Sequence, residues 1–136
     1  MKVFFEVLNV DTPDRIAVVD ITERVEEVVS SSGVRNGLCI VHVPHATAAV
    51  MLNEMEPRLA LDYVKLVHEL FKPNADWAHN AIDRNAHAHL AAAFIGSSRL
   101  IPVKDGRLVR GTWQNIILLE LDGPRNRRVV VEVLGE

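Results

Sequence analysis

At 136 residues the chain has the length of a single domain, and with 49% hydrophobic residues it can bury a core without disulfides or a structural metal. A net charge of −3 argues against bulk electrostatic binding to nucleic acid, and no apolar run approaches the ~20 residues that cross a bilayer. The start, "MKVFFEVLNV", lacks the apolar region and small-residue cleavage site of a signal peptide, and the one cysteine forms no internal disulfide, so a cytoplasmic protein is expected.

In chain order, the Val- and Phe-rich "KVFFEVLNV" reads as a strand, "DTPDR" as a turn and "IAVVD" as a second strand. "DITERVEEVVSSSG" carries Ile21, Val25, Val28 and Val29 at helical spacing, with Asp20 as N-cap, Glu23 at the capping-box offset and Gly33 as the stop. "NGLCIVHVPH" is an apolar strand, in which Cys39 reads as a small core residue rather than a nucleophile. "ATAAVMLNE" is a further strand. "EPRLALDYVKLVHEL" is the clearest helix, with Pro57 in its first turn and Leu59, Tyr63, Leu66, Val67 and Leu70 on one face.

"KPNADWAH" is a loop. The alanine-rich "RNAHAHLAAAFIG" is helical, turns Leu90, Ala93 and Phe94 toward a core and stops at Gly96. "SRLIPV", "NIILLEL" and "RRVVVEVL" close the chain as strands, with "KDGR" and "DGPR" as turns. The connections between strands are too short for parallel crossovers. The expected fold is therefore α+β over residues 1–136: a mostly antiparallel sandwich or barrel-like sheet with about three helices, in a single domain.

Six histidines are available for chemistry. His42 falls within a strand and His68 within a helix, where packed or solvated imidazoles are ordinary. His45 follows Pro44 at a strand end, where side chains emerge from a rigid scaffold. His79 lies in the loop beside Trp77. Each helical residue turns ~100°, so His87 and His89 point about 200° apart. His89 shares a face with Asn85 and Ala93 and is assigned to the pocket; His87 is left to solvent or a partner chain.

The set His45, His79 and His89, with an open coordination position, suits zinc, and Glu54 supplies a carboxylate ligand or general base. Sequence alone does not bring the three imidazoles together. The Gly96-Ser97-Ser98 turn offers N–H groups and hydroxyls, but a plain helix stop is the better reading of it, and the dipole of a helix C-terminus repels anions. Arg110 and Arg125 suit phosphate oxygens, Trp113 suits stacking on a flat ring, and Gln114 suits the edge of that ring.

Taken together, "HATAAVMLNE", "WAHN", "NAHAH", "GSS…PV.DGRL..GTWQ" and "LDGPRNRRVVVEV" resemble, in order and over roughly residues 38 to 134, the YjbQ-like family, whose members are often called secondary thiamine-phosphate synthases. The resemblance implies a small α+β protein that assembles as a homotrimer or a multiple of one, with a histidine pocket that binds a divalent metal. It places motif positions on His45, Thr47, Asn53, Glu54, His79, Asn85 and His89, and on Gly96 to Ser98 and Gly111 to Gln114. Three positions depart from the family pattern: "HATAA" stands for "HTTAG", His87 for an aspartate and Trp77 for a tyrosine.

The implied reaction joins a pyrimidine pyrophosphate to a thiazole phosphate. His45, Asn53 and Glu54 are the expected catalytic residues. Thr47, Asn85, Ser97, Ser98, Arg110, Trp113, Gln114 and Arg125 are expected on the substrate, a small phosphorylated molecule. His45, His79 and His89 are expected on the metal, zinc, or magnesium if the reaction is the synthase one. Two alternatives stand beside it: a zinc-dependent hydrolase of a small substrate, and a non-catalytic trimeric protein that binds a ligand or metal. Neither nucleic acid nor membrane is an expected partner.

Overall fold

The computed structural model covers residues 1–136 and contains eight strands and three helices, in the order β1 (Lys2–Asp11), β2 (Ala17–Asp20), α1 (Thr22–Ser32), β3 (Gly37–His42), β4 (Ala48–Asn53), α2 (Pro57–Leu70), α3 (Ala86–Ile95), β5 (Ser98–Lys104), β6 (Arg107–Leu108), β7 (Asn115–Glu120) and β8 (Asn126–Gly135). A single 3-10 turn spans Ala78–Ala81. Every strand pairing is antiparallel, within a five-stranded sheet ordered β1-β8-β3-β5-β6 and a three-stranded sheet ordered β2-β7-β4. The expected α+β sandwich is therefore the observed one.

Period-two alternation explains the layering. In β8, Val129, Val131 and Val133 point inward and are fully buried. They meet Cys39 and Val41 of β3, Ile116 and Leu118 of β7, and the α1 stripe of Val25, Val28 and Val29, all in one apolar cluster between the sheets. The opposite face of β7 buries Leu119 against Ala88, Ala91 and Ala92 of α3 and Val67 of α2. Covered on both faces, β7 reads as a continuous apolar run, as a central strand should. Cys39 is fully buried, and burial pushes its thiol up to about 12, which fits the core role.

The helix starts differ from expectation in one detail. Ile21, not Asp20, occupies the N-cap of α1. Asp20 still serves the first turn from one residue earlier, accepting from the Thr22 N–H at 3.0 Å and from the Thr22 hydroxyl at 2.5 Å. Glu56 caps α2 by accepting from the Leu59 N–H at 2.7 Å, with Pro57 next to it. Gly96 ends α3 as expected, its N–H donating to the Ala92 carbonyl at 2.9 Å. The "KDGR" turn joins β5 to β6, with Asp105 and Gly106 both at positive φ.

The helix faces depart further from the sequence reading. Of the α2 stripe only Val67 is buried; Leu66 is 53% and Leu70 63% exposed. Phe94 of α3 points outward at 81% exposure, its ring 6.0 Å from that of Phe71. Each helix lays one narrow edge on the three-stranded sheet, so spacing groups these side chains on a face that no other part of the chain covers.

Candidate functional site

The strongest chemical arrangement lies where the 3-10 turn meets the start of α3. The His79 and His89 rings stand 4.9 Å apart, edge to face at 72°. They line a cavity of about 300 Å³ with Trp77, Ala78, Ala86 and Leu90. Trp77 is held there by its indole N–H, which donates to the Lys72 carbonyl at 2.7 Å.

A hydrogen-bond relay selects the tautomer of the neutral His79 ring. Asn85 Nδ2 donates to Asp122 Oδ2 at 2.9 Å, which turns Asn85 Oδ1 toward His79 Nε2, also at 2.9 Å. A carboxylate accepts only, so the amide cannot be reversed without facing oxygen to oxygen. His79 Nε2 therefore carries the N–H, and in the neutral ring the lone pair sits on Nδ1. An imidazole oriented in this way through a carboxylate suits a general base or a metal ligand. Arg125 Nη2 approaches the same Asp122 oxygen, 3.4 Å from Oδ2, while Arg15 lies 3.8 Å from Oδ1.

His45 is oriented the other way. Its Nε2 accepts the Arg128 backbone N–H at 2.9 Å, so the neutral ring carries its proton on Nδ1. Burial, followed by the Arg127 and Arg128 charges, holds its pKa below the ordinary value. His45 is thus a neutral hydrogen-bond donor beside three arginines. Behind it Glu120 and Arg127 form a buried ion pair, 0% and 1% exposed, that ties the end of β7 to the start of β8 across the two sheets. Arg127 Nε donates to Glu120 Oε2 at 2.8 Å, and Arg127 Nη2 donates to the Thr47 hydroxyl and carbonyl, each at 2.9 Å. Alternation along β8 turns Arg127 inward, onto the face it shares with Val129 and Val131.

Sheet register divides the remaining candidates between two ends. Ala48 pairs with Glu120 and Asn53 with Asn115. His45 and Thr47 therefore share one end of the three-stranded sheet with Asp122, while Asn53, Glu54, Trp113 and Gln114 lie at the other. The six residues of β7 separate those ends by ~20 Å. At the far end, Gln114 Oε1 accepts from the Gly111 N–H at 2.8 Å, and Arg110 donates to the Gln114 carbonyl at 2.7 Å and to Glu26 at 3.1 Å. Trp113 is 70% exposed, which excludes a role in this chain's core. The Ser97 carbonyl accepts from Val43, and the Ser98 hydroxyl sits 2.5 Å from His42 Nδ1.

No three His, Cys, Asp or Glu side chains of the chain gather into a set that could hold a metal ion. One chain supplies two adjacent imidazoles, short of the three protein ligands usual in catalytic zinc sites. Sequence reasoning missed Asp122, taken as part of a turn, and the Glu120–Arg127 pair. The pair left a signal: Ile116, Leu118 and Glu120 share one strand face, as do Arg127, Val129 and Val131. His87, which the helical wheel sent to solvent or a partner, is 1% exposed, because loop and α2 residues cover that side of α3 as well.

No helix is long and apolar enough to cross a membrane. Residues 6–136 match the family described as UPF0047 protein YjbQ-like. A UPF0047 protein of Methanothermobacter thermautotrophicus is 43% identical, the match covering 100% of this chain and 95% of that protein. Bacillus subtilis YugU, a UPF0047 protein, is 33% identical over 94% of this chain and 97% of its own length. The crystal structure of a YbjQ-like protein from Sulfolobus solfataricus superposes with a TM-score of 0.98 at 51% identity, covering 99% of each chain. A hypothetical protein from Aeropyrum pernix gives a TM-score of 0.95 at 52% identity, over 97% of this chain and 98% of that one. With its sequence matched nearly end to end and its sheets, helices and turns superposing on these structures, the chain belongs to the YjbQ-like UPF0047 family.

Proposed function

We propose that the chain is an enzyme of small phosphorylated molecules that acts at the His79–His89 pair as a homotrimer or a multiple of one, joining a pyrimidine pyrophosphate to a thiazole phosphate. The observation that carries this reading is the Asp122–Asn85–His79 relay, which directs an imidazole lone pair beside a second imidazole in a cavity lined by Trp77 and Leu90. In the reaction the thiazole nitrogen attacks the pyrimidine CH₂ carbon, the C–O bond to pyrophosphate breaks, and pyrophosphate leaves with the electron pair. The protein aligns the two rings and offsets the charge of the departing group. Arg125 and the Nδ1–H of His45 sit at the relay's end of the sheet and suit phosphate oxygens; the apolar walls suit the heterocycles.

One chain does not gather every residue this reading expects on the substrate, so the trimer is part of the proposal. Trp113, Gln114, Arg110, Asn53 and Glu54 lie at the far end of the sheet from the relay. Imidazole donors favour zinc, which when bound would polarise a phosphate oxygen; magnesium prefers oxygen ligands.

The relay also suits a second reading, zinc-dependent hydrolysis of a single small substrate, because a fixed imidazole lone pair is what a general base or zinc ligand needs. The third is a trimeric ligand- or metal-binding protein without turnover. Pyrophosphate release from the full-length protein, assayed with each precursor alone and with both, separates them. The synthase reading expects release only with both precursors and a loss of about 100-fold or more in His79→Ala and His89→Ala. Turnover of one precursor alone, abolished by chelator, moves the assignment to the hydrolase, and binding without turnover moves it to the third reading. Full activity in both variants sinks the site.

A further inference from the structure

A second cavity lies under the opposite face of α3. It measures about 530 Å³ and runs between the turn at Asp14–Ile16, Val64 and His68 of α2, Pro73 and Asn74, and the α3 start at Arg84 and His87. It shares no lining residue with the cavity at His79 and His89.

Three independent observations point to an occupant. First, His87 is 1% exposed and lines the cavity, and both of its ring nitrogens are buried without a hydrogen-bond partner. Buried polar groups are nearly always paired, and an unpaired ring keeps its desolvation penalty until something fills the gap. Second, two guanidinium groups converge there with spare donors. Arg15 uses Nη2 on the Arg84 carbonyl at 2.9 Å and lies 3.8 Å from Asp122, while the Arg84 side chain forms no ion pair. The lining charges are Asp14, Arg15 and Arg84, with His68 and His87 as the titratable rings and Asp122 facing Arg15 from behind; the donors left over belong to the two guanidinium groups. Third, the His87 backbone N–H, in the first turn of α3, has no backbone acceptor, and a helix start favours negative charge.

We propose that this cavity is a second ligand site, separate from the imidazole pair, and that it binds a small oxyanion, a phosphate or carboxylate, with Arg15 and Arg84 on its oxygens and the His87 ring N–H as the buried donor. An imidazole carries at least one ring N–H, so His87 has a donor to give to an anion in the cavity. The volume exceeds what a bare phosphate fills, which leaves room for an organic group attached to the anion. Nothing in the proposal depends on the reaction assigned to the first site.

Calorimetric titration of the full-length protein with inorganic phosphate and, separately, with malate tests it, together with long-range ¹H–¹⁵N spectra of the histidine rings. The expected result is millimolar or tighter binding of at least one probe, with the His87 ring signals moving on addition. Arg84→Gln, a change at the exposed rim, should weaken that binding about tenfold or more. His87→Leu, close in volume to the native ring, should weaken it while keeping the fold. Phosphate alone binding identifies a phosphoryl site, and malate alone a carboxylate site. Binding of neither probe, binding indifferent to Arg84→Gln, or His87 signals that stay fixed would each overturn the proposal.

Discussion

Glu120 keeps no exposed surface and Arg127 keeps 1%, so each charge depends wholly on groups of the chain for what water would have supplied. The supply is complete on the acid: its oxygens accept from Arg127, from the Thr12 hydroxyl at 2.8 Å and from the Leu121 and Asp122 N–H groups at 3.0 and 2.9 Å. Burial alone would raise the Glu120 pKa; the Arg127 hydrogen bond, the Asp122 N–H and the Thr12 hydroxyl outweigh it and hold the carboxyl below its ordinary 4.5. A carboxyl depressed in the folded state contributes stability that is fully present above its unfolded pKa and is lost as pH falls through the lower folded value. Glu120→Gln leaves Arg127 buried and unpaired, a loss of about 3–5 kcal/mol near neutral pH. It should also flatten the acid limb of the stability profile just below pH 4.5, because the group that titrates there is gone. Urea unfolding across a pH series measures both; a variant within ~1 kcal/mol of the parent, with the same acid limb, contradicts the account.

Among the elements, the β3–β8 pairing shows how a strand end can be held by the absence of side chains. Gly37 and Gly135 stand directly opposite, and a Cβ added at Gly37 would lie 2.0 Å from the Leu134 carbonyl oxygen. The chain beyond is tied down by Glu136, whose carbonyl accepts from Arg35 and Asn36 at 2.7 and 3.1 Å. Gly37→Ala should part these strand ends and lower stability by about 1–3 kcal/mol, read as a lower Tm with the far-ultraviolet dichroism unchanged. An unchanged Tm would mean that the strand ends part freely. The strands themselves are legible in the sequence because alternation and Val-rich runs report which residues face together. What alternation and helical spacing do not report is what covers a face. Leu66, Leu70 and Phe94 obey the helical pattern yet stay exposed, and His87, on the side opposite His89, is sealed in. The site was legible in part for the same reason. His79, Asn85 and His89 are close in sequence and meet, whereas the contribution of Asp122 depends on a contact 37 residues away that no local pattern carries.

Across the whole molecule, the apolar side chains left outside the core are grouped rather than scattered. On the outer face of the five-stranded sheet, register places Val3, Leu134, Leu38 and Pro102 in one row and Phe5, Glu132, Ile40 and Leu100 in the next. Val3 is 63%, Phe5 59% and Leu100 58% exposed. A second group, Val109 and Trp113, projects from the segment before β7. Contiguous apolar patches of this kind mark association surfaces. A third group, Leu66, Leu70 and Phe94, lies on α2 and α3. A two-fold dimer needs one self-complementary patch, whereas each subunit of a three-membered ring offers two different patches, one to each neighbour. The proposed trimer therefore predicts that a charge in either patch breaks it. Leu100→Glu and Trp113→Glu should each convert the assembly to folded single chains of 15.2 kDa by sedimentation, and mixing the two variants should restore part of the assembly, because each retains the patch the other lacks. A dimer joined through the sheet face would lose its partner in Leu100→Glu alone and keep it in Trp113→Glu, so the pair of variants distinguishes the two symmetries. If both variants sediment as the parent does, neither patch is an interface, and the proposed ring falls with them.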